Sequence, residues 1–372
     1  MRFDEALEYL TPLYQLGTRT ETWREIVSGH INKTYYVKYT DGNEYIIQNV
    51  NTFVFKDPLK IMKNIRTVSR HFADGKADGG CAITHYIDNK EGRNYAVLND
   101  GSFWRVSLYV PNSVGYEHVE NGEVLFSTGY GFGSFIARLS GIDPAEMEIT
   151  IPDFHNTKKR LDDFFLKVEE DPLGLAGGVE KEIGFFRENR ARAEQLCRMA
   201  EAGGVPLRVV HNDTKVNNIL LDKDTNRPLC VIDLDTIMPG LAAYDFGDAI
   251  RFAANTACED ETDLSRVALN PEYFERFASG FMKAAAPVLT ESEAETLALG
   301  APTITLELAS RFLLDYLDGD RYFSVHRPHH NLDRARCQIA LAADMFRRLP
   351  QMEELVMKLY RSCRGGVTEM TK

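Results

Sequence analysis

Residues 210–221 read V-H-N-D-T-K-V-N-N-I-L-L, and residues 231–235 read V-I-D-L-D. Asp213, Lys215 and Asn218 fall on the first segment, and Asp233 ends the second. A carboxylate, an ammonium, an amide and a second carboxylate, each beside an apolar strand, is what a phosphoryl-transfer site requires. One carboxylate orients and deprotonates an acceptor hydroxyl, and hard oxygens hold magnesium on the nucleotide phosphates. Asp213 is the candidate base, Asn218 and Asp233 the candidate metal ligands, and Lys215 the group that faces the transferring phosphoryl. A lone H-x-D decorating a turn is common; the combination of both segments is not. His211 is expected to brace the loop rather than react. Asp235 falls on the same face of an extended chain as Asp233. It could hold a second ion, bond a substrate hydroxyl, or cap the turn before Pro239-Gly240.

Upstream of this stretch the pattern alternates, and downstream it is helical. Residues 34–40 and 44–50 flank Asp41-Gly42, a hairpin signal because the pair tolerates a positive φ. A helix over about 58–73 follows, then strands over 82–87, 95–98 and 103–110, with Asp100-Gly101 as a second turn. Beyond Gly115 the spacing predicts helices near 121–140, 157–170, 178–203, 241–256, 270–286, 290–317 and 332–362. Pro12, Pro302 and Pro350 are expected to break their helices. The expected class is α+β and bilobal. An N-terminal lobe over 1–110 carries an antiparallel sheet, and a large helical lobe spans 111–372.

Two strings imitate other motifs. Asp245-Phe246-Gly247 resembles a kinase metal motif, but it opens an apolar helical stretch and is expected to be a helix cap or loop anchor. Gly129-Tyr130-Gly131-Phe132-Gly133 resembles a phosphate loop, but no strand precedes it; close helix packing is the better reading.

Composition narrows the field. The 372 residues carry a net charge of −12, with 44% hydrophobic and 26% charged residues, the make-up of a globular protein. An acidic chain without a Lys/Arg cluster is not expected to bind nucleic acid. Cys81, Cys197, Cys230, Cys258, Cys337 and Cys363 are dispersed, which favours free thiols in a reducing cytoplasm. No zinc spacing, signal peptide or membrane span is expected.

On these residues the chain resembles the aminoglycoside phosphotransferase and choline kinase superfamily, relatives of the protein kinases. The stretches at 29–35, 45–52, 211–220, 232–240, 245–252 and 311–323 further resemble the bacterial N-acetylhexosamine 1-kinases. That resemblance implies transfer from ATP, with magnesium (Mg2+), to the anomeric hydroxyl of N-acetylglucosamine or N-acetylgalactosamine. It implies a small sugar and ATP as partners, with a monomer or weak oligomer expected. It places Asp213, Asp235, Arg311 and Tyr322 in the sugar pocket. An Arg fork suits ring hydroxyls or an acetamido oxygen, and a Tyr face suits a sugar. The competing role for Arg311 is a salt bridge to Asp315 along one helix.

By analogy with kinases, adenine would lie against Leu108-Tyr109-Val110. The phosphates would meet His30, Asn32, Thr34 and Gln48. Here the chain departs from the kinase pattern: Gln48 stands where a third-strand Lys is usual, and Lys63 and Arg66 dominate the helix where its partner Glu belongs. Lys33 and Lys38 are the candidate replacement cations. A kinase for another small alcohol is the nearest alternative, and a silent pseudokinase, favoured only by Gln48 and the missing Glu, is the next.

Overall fold

The computed structural model describes residues 2–27, 31–74, 80–117, 119 and 121–365. It opens with α1 (Phe3–Tyr14), whose Phe3, Ala6, Leu7, Leu10 and Tyr14 form one buried stripe. Pro12 does not break this helix; the carbonyl it leaves without an N–H donor is that of Glu8, an exposed residue that water can serve. Then come β1 (Thr20–Ile26), β2 (Lys33–Tyr39), β3 (Glu44–Val50), α2 (Pro58–Asp74), β4 (Ala82–Ile83), β5 (Ala96–Val97) and β6 (Phe103–Leu108). One antiparallel sheet has the order β1-β2-β3-β6-β5. Its expected turns are present, with Gly42 at φ 88° and Gly101 at φ 80°.

The rest is mainly helical: β7 (Ser113–Val114), α3 (Gly122–Leu139), α4 (Thr157–Glu170), α5 (Glu180–Ala193), α6 (Gln195–Glu201), β8 (Arg208–Val210), β9 (Ile219–Asp222), β10 (Pro228–Val231), β11 (Met238–Gly240), α7 (Ala242–Ala253), α8 (Pro271–Ala285), α9 (Glu291–Leu317) and α10 (His330–Gly365). The single helix expected over 178–203 is two, parted at Glu194 with no Gly or Pro there to signal it. Of the strand expected over 82–87, Tyr86 keeps only a bridge to Ser107 of β6, while β4 runs parallel to β10. With β9 and β7 it makes a second sheet, β4-β10-β9-β7, so the strand leading to Asp233 is paired on both sides.

Pro302 and Pro350 lie inside continuous helices, against expectation. Around Pro302, α9 is buried on nearly every side against α7, α10 and α4. Burying one Leu or Ile contributes about 1.5–3 kcal/mol, and α9 buries many, against about 3 kcal/mol for one interior proline. By length and composition α9 could also cross a membrane, but 83% of its most apolar window is buried inside the molecule. It is a core helix.

The glycine string packs as expected. A Cβ on Gly129 would lie 2.1 Å from the Phe277 carbonyl oxygen on α8, so α3 and α8 touch backbone to backbone. Gly247 and Gly300 play the same role between α7 and α9, where a Cβ on Gly300 would lie 1.8 Å from the Ala243 oxygen. One apolar cluster joins α1 to the first sheet through Leu10, Tyr35, Val37, Ile47 and Trp104. Another fills the helical part and takes in Ile61, Met62, Ile65 and Val68 of α2. All six cysteines are free thiols.

Candidate active site

The loop after β8 is held from behind by α7. The Asp245 carboxylate accepts the backbone N–H of His211 at 2.8 Å and of Asn212 at 2.6 Å. The D-F-G string therefore anchors the loop; it does not cap α7, whose N-cap is Leu241. Burial pushes the Asp245 carboxyl up to about 6, against the pull of His211 and of the two amides. Asn212 adopts φ 64°, tolerable for Asn, and its amide donates to the carbonyls of Thr236 at 3.0 Å and Met238 at 3.3 Å. His211 is fully buried. Its Nε2 meets the Ile232 carbonyl at 2.9 Å, and its Nδ1 accepts the Asp213 N–H at 3.3 Å. Through these two bonds His211 ties the loop to the end of β10.

That tie brings the acidic residues together. Asn218 closes a short 3-10 turn, and its amide donates to the Asp213 carbonyl at 2.8 Å and to Asp213 Oδ2 at 3.3 Å. Its own backbone carbonyl accepts the Ile232 N–H at 2.9 Å, which sets Asp233 beside it. With the Asn218 amide nitrogen turned to Asp213, its side-chain oxygen is the atom left to offer a cation. Asp233 itself sits at φ 57°, a left-handed conformation that turns the chain sharply at the end of β10. Burial first, then the nearby Asp235 and Asp213 carboxylates, push the Asp233 carboxyl up to about 6. A carboxylate crowded by like charges is what a divalent cation relieves, and the Asp233 carboxylate plus the Asn218 amide oxygen suit magnesium. Among the described residues no group of three or more His, Cys, Asp or Glu forms a metal cage. Magnesium ordinarily completes its shell with phosphate oxygens and water, so the donor set fits.

Lys215 Nζ lies 3.0 Å from Asp213 Oδ1, and the Asp213 charge raises its pKa. Burial works against the Asp213 charge, yet Lys215 and then His211 hold its carboxyl below the ordinary range. Asp213 is therefore ionised at neutral pH.

Asp235 neither caps the turn nor stands open. It is 2% exposed, and both oxygens are engaged: Oδ1 by Nη1 of Arg105, Oδ2 by the Asn32 amide at 2.7 Å. Arg105 lies on β6 directly across from Gln48 on β3, and its Nε donates to Gln48 Oε1 at 2.9 Å. The Gln48 amide in turn donates to Thr34 Oγ1 at 3.1 Å. Asn32 also accepts the Asn51 N–H at 2.9 Å. So the structure gathers Asn32, Thr34, Gln48 and Asp235 into one chain of hydrogen bonds centred on Arg105. His30 lies outside the described residues. Leu108, the last residue of β6, is 44% exposed, and the Val110 carbonyl accepts Ser113 Oγ at 2.7 Å. Of the two candidate cations, Lys38 pairs with Glu21 and Lys33 is exposed.

The competing pair of Arg311 with Asp315 does not form. The Asp315 carboxylate accepts the backbone N–H groups of Arg321, Tyr322 and Phe323 at 2.8–2.9 Å and the Asn331 amide at 2.9 Å. It fixes the loop that presents Tyr322, which is 71% exposed. The Arg311 guanidinium lies 5.7 Å from the Tyr322 ring centre. Burial, then the neighbouring Arg160, lower the Arg311 pKa. One helical turn earlier on α9, Glu307 bonds His155 Nδ1 at 3.0 Å, and His155 Nε2 meets the Asn212 carbonyl at 2.9 Å. This relay links the Arg311 corner to the loop that carries Asp213.

Sequence reasoning missed Arg105, His155 and Glu307. The only available signal for Arg105 is a charge inside an apolar strand, Trp104-Arg105-Val106.

A family model described as "Phosphotransferase enzyme family" matches residues 22–285. Among solved structures, a microcompartment-associated aminopropanol kinase is similar at 16% identity and TM-score 0.64, over 95% of this chain and 99% of that one. An amicoumacin kinase in complex with AMP-PNP and Ca2+ aligns at 13% identity and TM-score 0.54, over 96% and 93%. A Plasmodium vivax ethanolamine kinase aligns at 15% and 0.54, over 84% and 80%. At these identities the likeness establishes the fold, a kinase-like one.

Proposed function

We propose that this chain, which belongs to the phosphotransferase enzyme family, transfers the γ-phosphoryl group of ATP to the anomeric hydroxyl of an N-acetylhexosamine. The observation that carries the reading is the convergence of Asp213, Asn218 and Asp233, joined by the Asn218–Asp213 and Ile232–Asn218 hydrogen bonds. In it Asp213 orients the hydroxyl and accepts its proton late, as an ionised carboxylate can. Asn218 and Asp233 hold magnesium, which when bound draws charge from the phosphate oxygens. Lys215 moves from Asp213 to the transferring phosphoryl and stabilises its charge. The nucleotide lies on residues 1–110 and the acceptor on 111–372, with adenine against Leu108 and Val110. The complex of the similar amicoumacin kinase with AMP-PNP and Ca2+ supports a nucleotide and a divalent ion here.

The acceptor assignment rests on the resemblance at 311–323 and on charge. Aminopropanol and ethanolamine, the acceptors in the names of two similar kinases, are cations at neutral pH. A cationic acceptor calls for acidic or aromatic-caged surroundings. The Arg311 corner has aromatic rings, but it also places one guanidinium near another, Arg160. That favours a neutral acceptor rich in hydroxyl and carbonyl oxygens, and the Tyr322 face adds an apolar platform for a sugar ring. The test is a product assay for anomeric phosphate with N-acetylglucosamine, N-acetylgalactosamine, glucose, galactose, aminopropanol and ethanolamine. The expected result is turnover on the two N-acetylated sugars. Turnover confined to the amino alcohols would overturn the acceptor assignment while leaving a kinase.

A further inference from the structure

An acidic chain that binds a polyphosphate needs local positive charge, and the third-strand position offers only Gln48. The structure puts a cation next to it. Arg105 is paired with Gln48 across β3 and β6, so both side chains project from the same face of the sheet. Arg105 is fully buried. Nε bonds Gln48 and Nη1 bonds Asp235, but Nη2, although buried, has no hydrogen-bond partner among the described residues. An orphaned donor on a buried charged group carries the full cost of its lost hydration, so a partner for it is expected. Burial opposes the charge, yet the facing Asp235 carboxylate keeps the guanidinium protonated.

The surroundings say what that partner is. Arg105 stands one residue behind Thr34 through Gln48, and one behind Asn32 through Asp235. Asn32 and Thr34 flank the start of β2, where the phosphates are expected. Asp235 is two residues from Asp233, and the Arg105 charge is felt at Asp233 as well. A guanidinium fixed between a phosphate-facing strand and a metal-binding turn has the chemistry for a phosphate oxygen, which takes a planar fork of donors.

The geometry points to Arg105 as the cation that binds the non-transferred phosphates of the nucleotide, supplied from β6 in place of a third-strand lysine, with Gln48 and Asp235 as its positioning partners. This rests on the nucleotide reading given above and is independent of the sugar. Nη2 donates to a phosphate oxygen, and the Asn32 and Gln48 side chains shift to admit it.

Calorimetric titration of the full chain with ADP, AMP and adenosine, each with magnesium and no sugar, tests this. Arg105→Gln is expected to weaken ADP at least tenfold and leave adenosine unchanged, because adenosine carries no phosphate. Adding Gln48→Lys to that variant is expected to recover much of the ADP affinity by restoring the charge on β3. A merely structural arginine would weaken all three ligands alike and would not be rescued. Equal losses for ADP and adenosine, or unchanged ADP binding, would overturn the proposal. Should Arg105→Gln not fold, Arg105→Lys carries the test. It keeps the charge but loses the fork, so ADP should weaken several-fold with adenosine unaffected; any other pattern counts against the proposal. A wild-type chain that binds no magnesium–ADP would overturn the nucleotide reading itself, whereas activity on a different acceptor would leave the Arg105 assignment standing.

Discussion

The loop that carries Asp213 and the corner that carries Arg311 are built in opposite ways. Around Asp213 almost every polar atom is tied down. Asp245 holds two amides, His211 bridges to Ile232, and Asn218 bonds Asp213. Around Arg311 the side chains are less constrained. Tyr322 is largely exposed, and Arg311 rests near aromatic rings rather than on a carboxylate. A fixed loop suits a reaction in which positioning supplies most of the rate, and a looser corner suits selection among acceptors. Changes in the two places should therefore fail differently, the first in kcat and the second in KM.

The largest effect is expected at Asp213. Asp213→Asn should lower kcat by about 10²–10⁴, the usual contribution of a positioned base, while magnesium–ATP affinity stays within about twofold. Steady-state kinetics with calorimetry reads both, and a near-normal kcat would remove Asp213 as the base. Next comes the anchor behind the loop. Asp245→Ala orphans two buried N–H groups at about 1–3 kcal/mol each, so urea unfolding should show a loss of about 2–6 kcal/mol together with a lower kcat. Unchanged stability would mean that the loop is held by other bonds. At the looser corner, Arg311→Ala should raise the acceptor KM about tenfold or more and leave the ATP KM alone; a charged donor to a substrate oxygen is worth about 1.5–3 kcal/mol. Equal effects on both would detach Arg311 from the acceptor.

The smallest effect is one of pH. The folded-state pKa of Asp233 is raised to about 6, above the unfolded carboxyl at about 3.9. Its contribution to stability is therefore full below about 4 and is lost as pH rises through about 6. Magnesium–ADP, which needs the ionised form, should reverse that loss. The thermal shift it produces should be a few degrees larger at about pH 7.5 than at about pH 5.5. A shift independent of pH over that range would separate Asp233 from the metal.

The same contrast explains what can be seen in the sequence. Asp213, Asn218 and Asp233 are legible because their spacing is local and apolar strands lead to them. The Asp41-Gly42 and Asp100-Gly101 turns are legible because the need for a positive φ is met within a few residues. Arg105 is not, because its partner Asp235 is 130 residues away and β6 is buried along most of its length, which erases the alternation that marks an inward charge. The His155–Glu307 contact spans 152 residues and is equally silent. Asp315 misleads because helical spacing offers Arg311 as its partner, whereas the carboxylate goes to the backbone of residues 321–323. Pro302 and Pro350 mislead because local preference gives way to burial of the helices around them.

Whether Asp233 and Asn218 share one cation is best measured directly, by electron paramagnetic resonance of Mn2+ titrated into the protein with ADP. The wild-type chain should take up one tightly held ion, and Asp233→Asn and Asn218→Ala should each weaken it tenfold or more while both variants stay folded by circular dichroism. Undiminished Mn2+ binding in both folded variants would contradict the shared site.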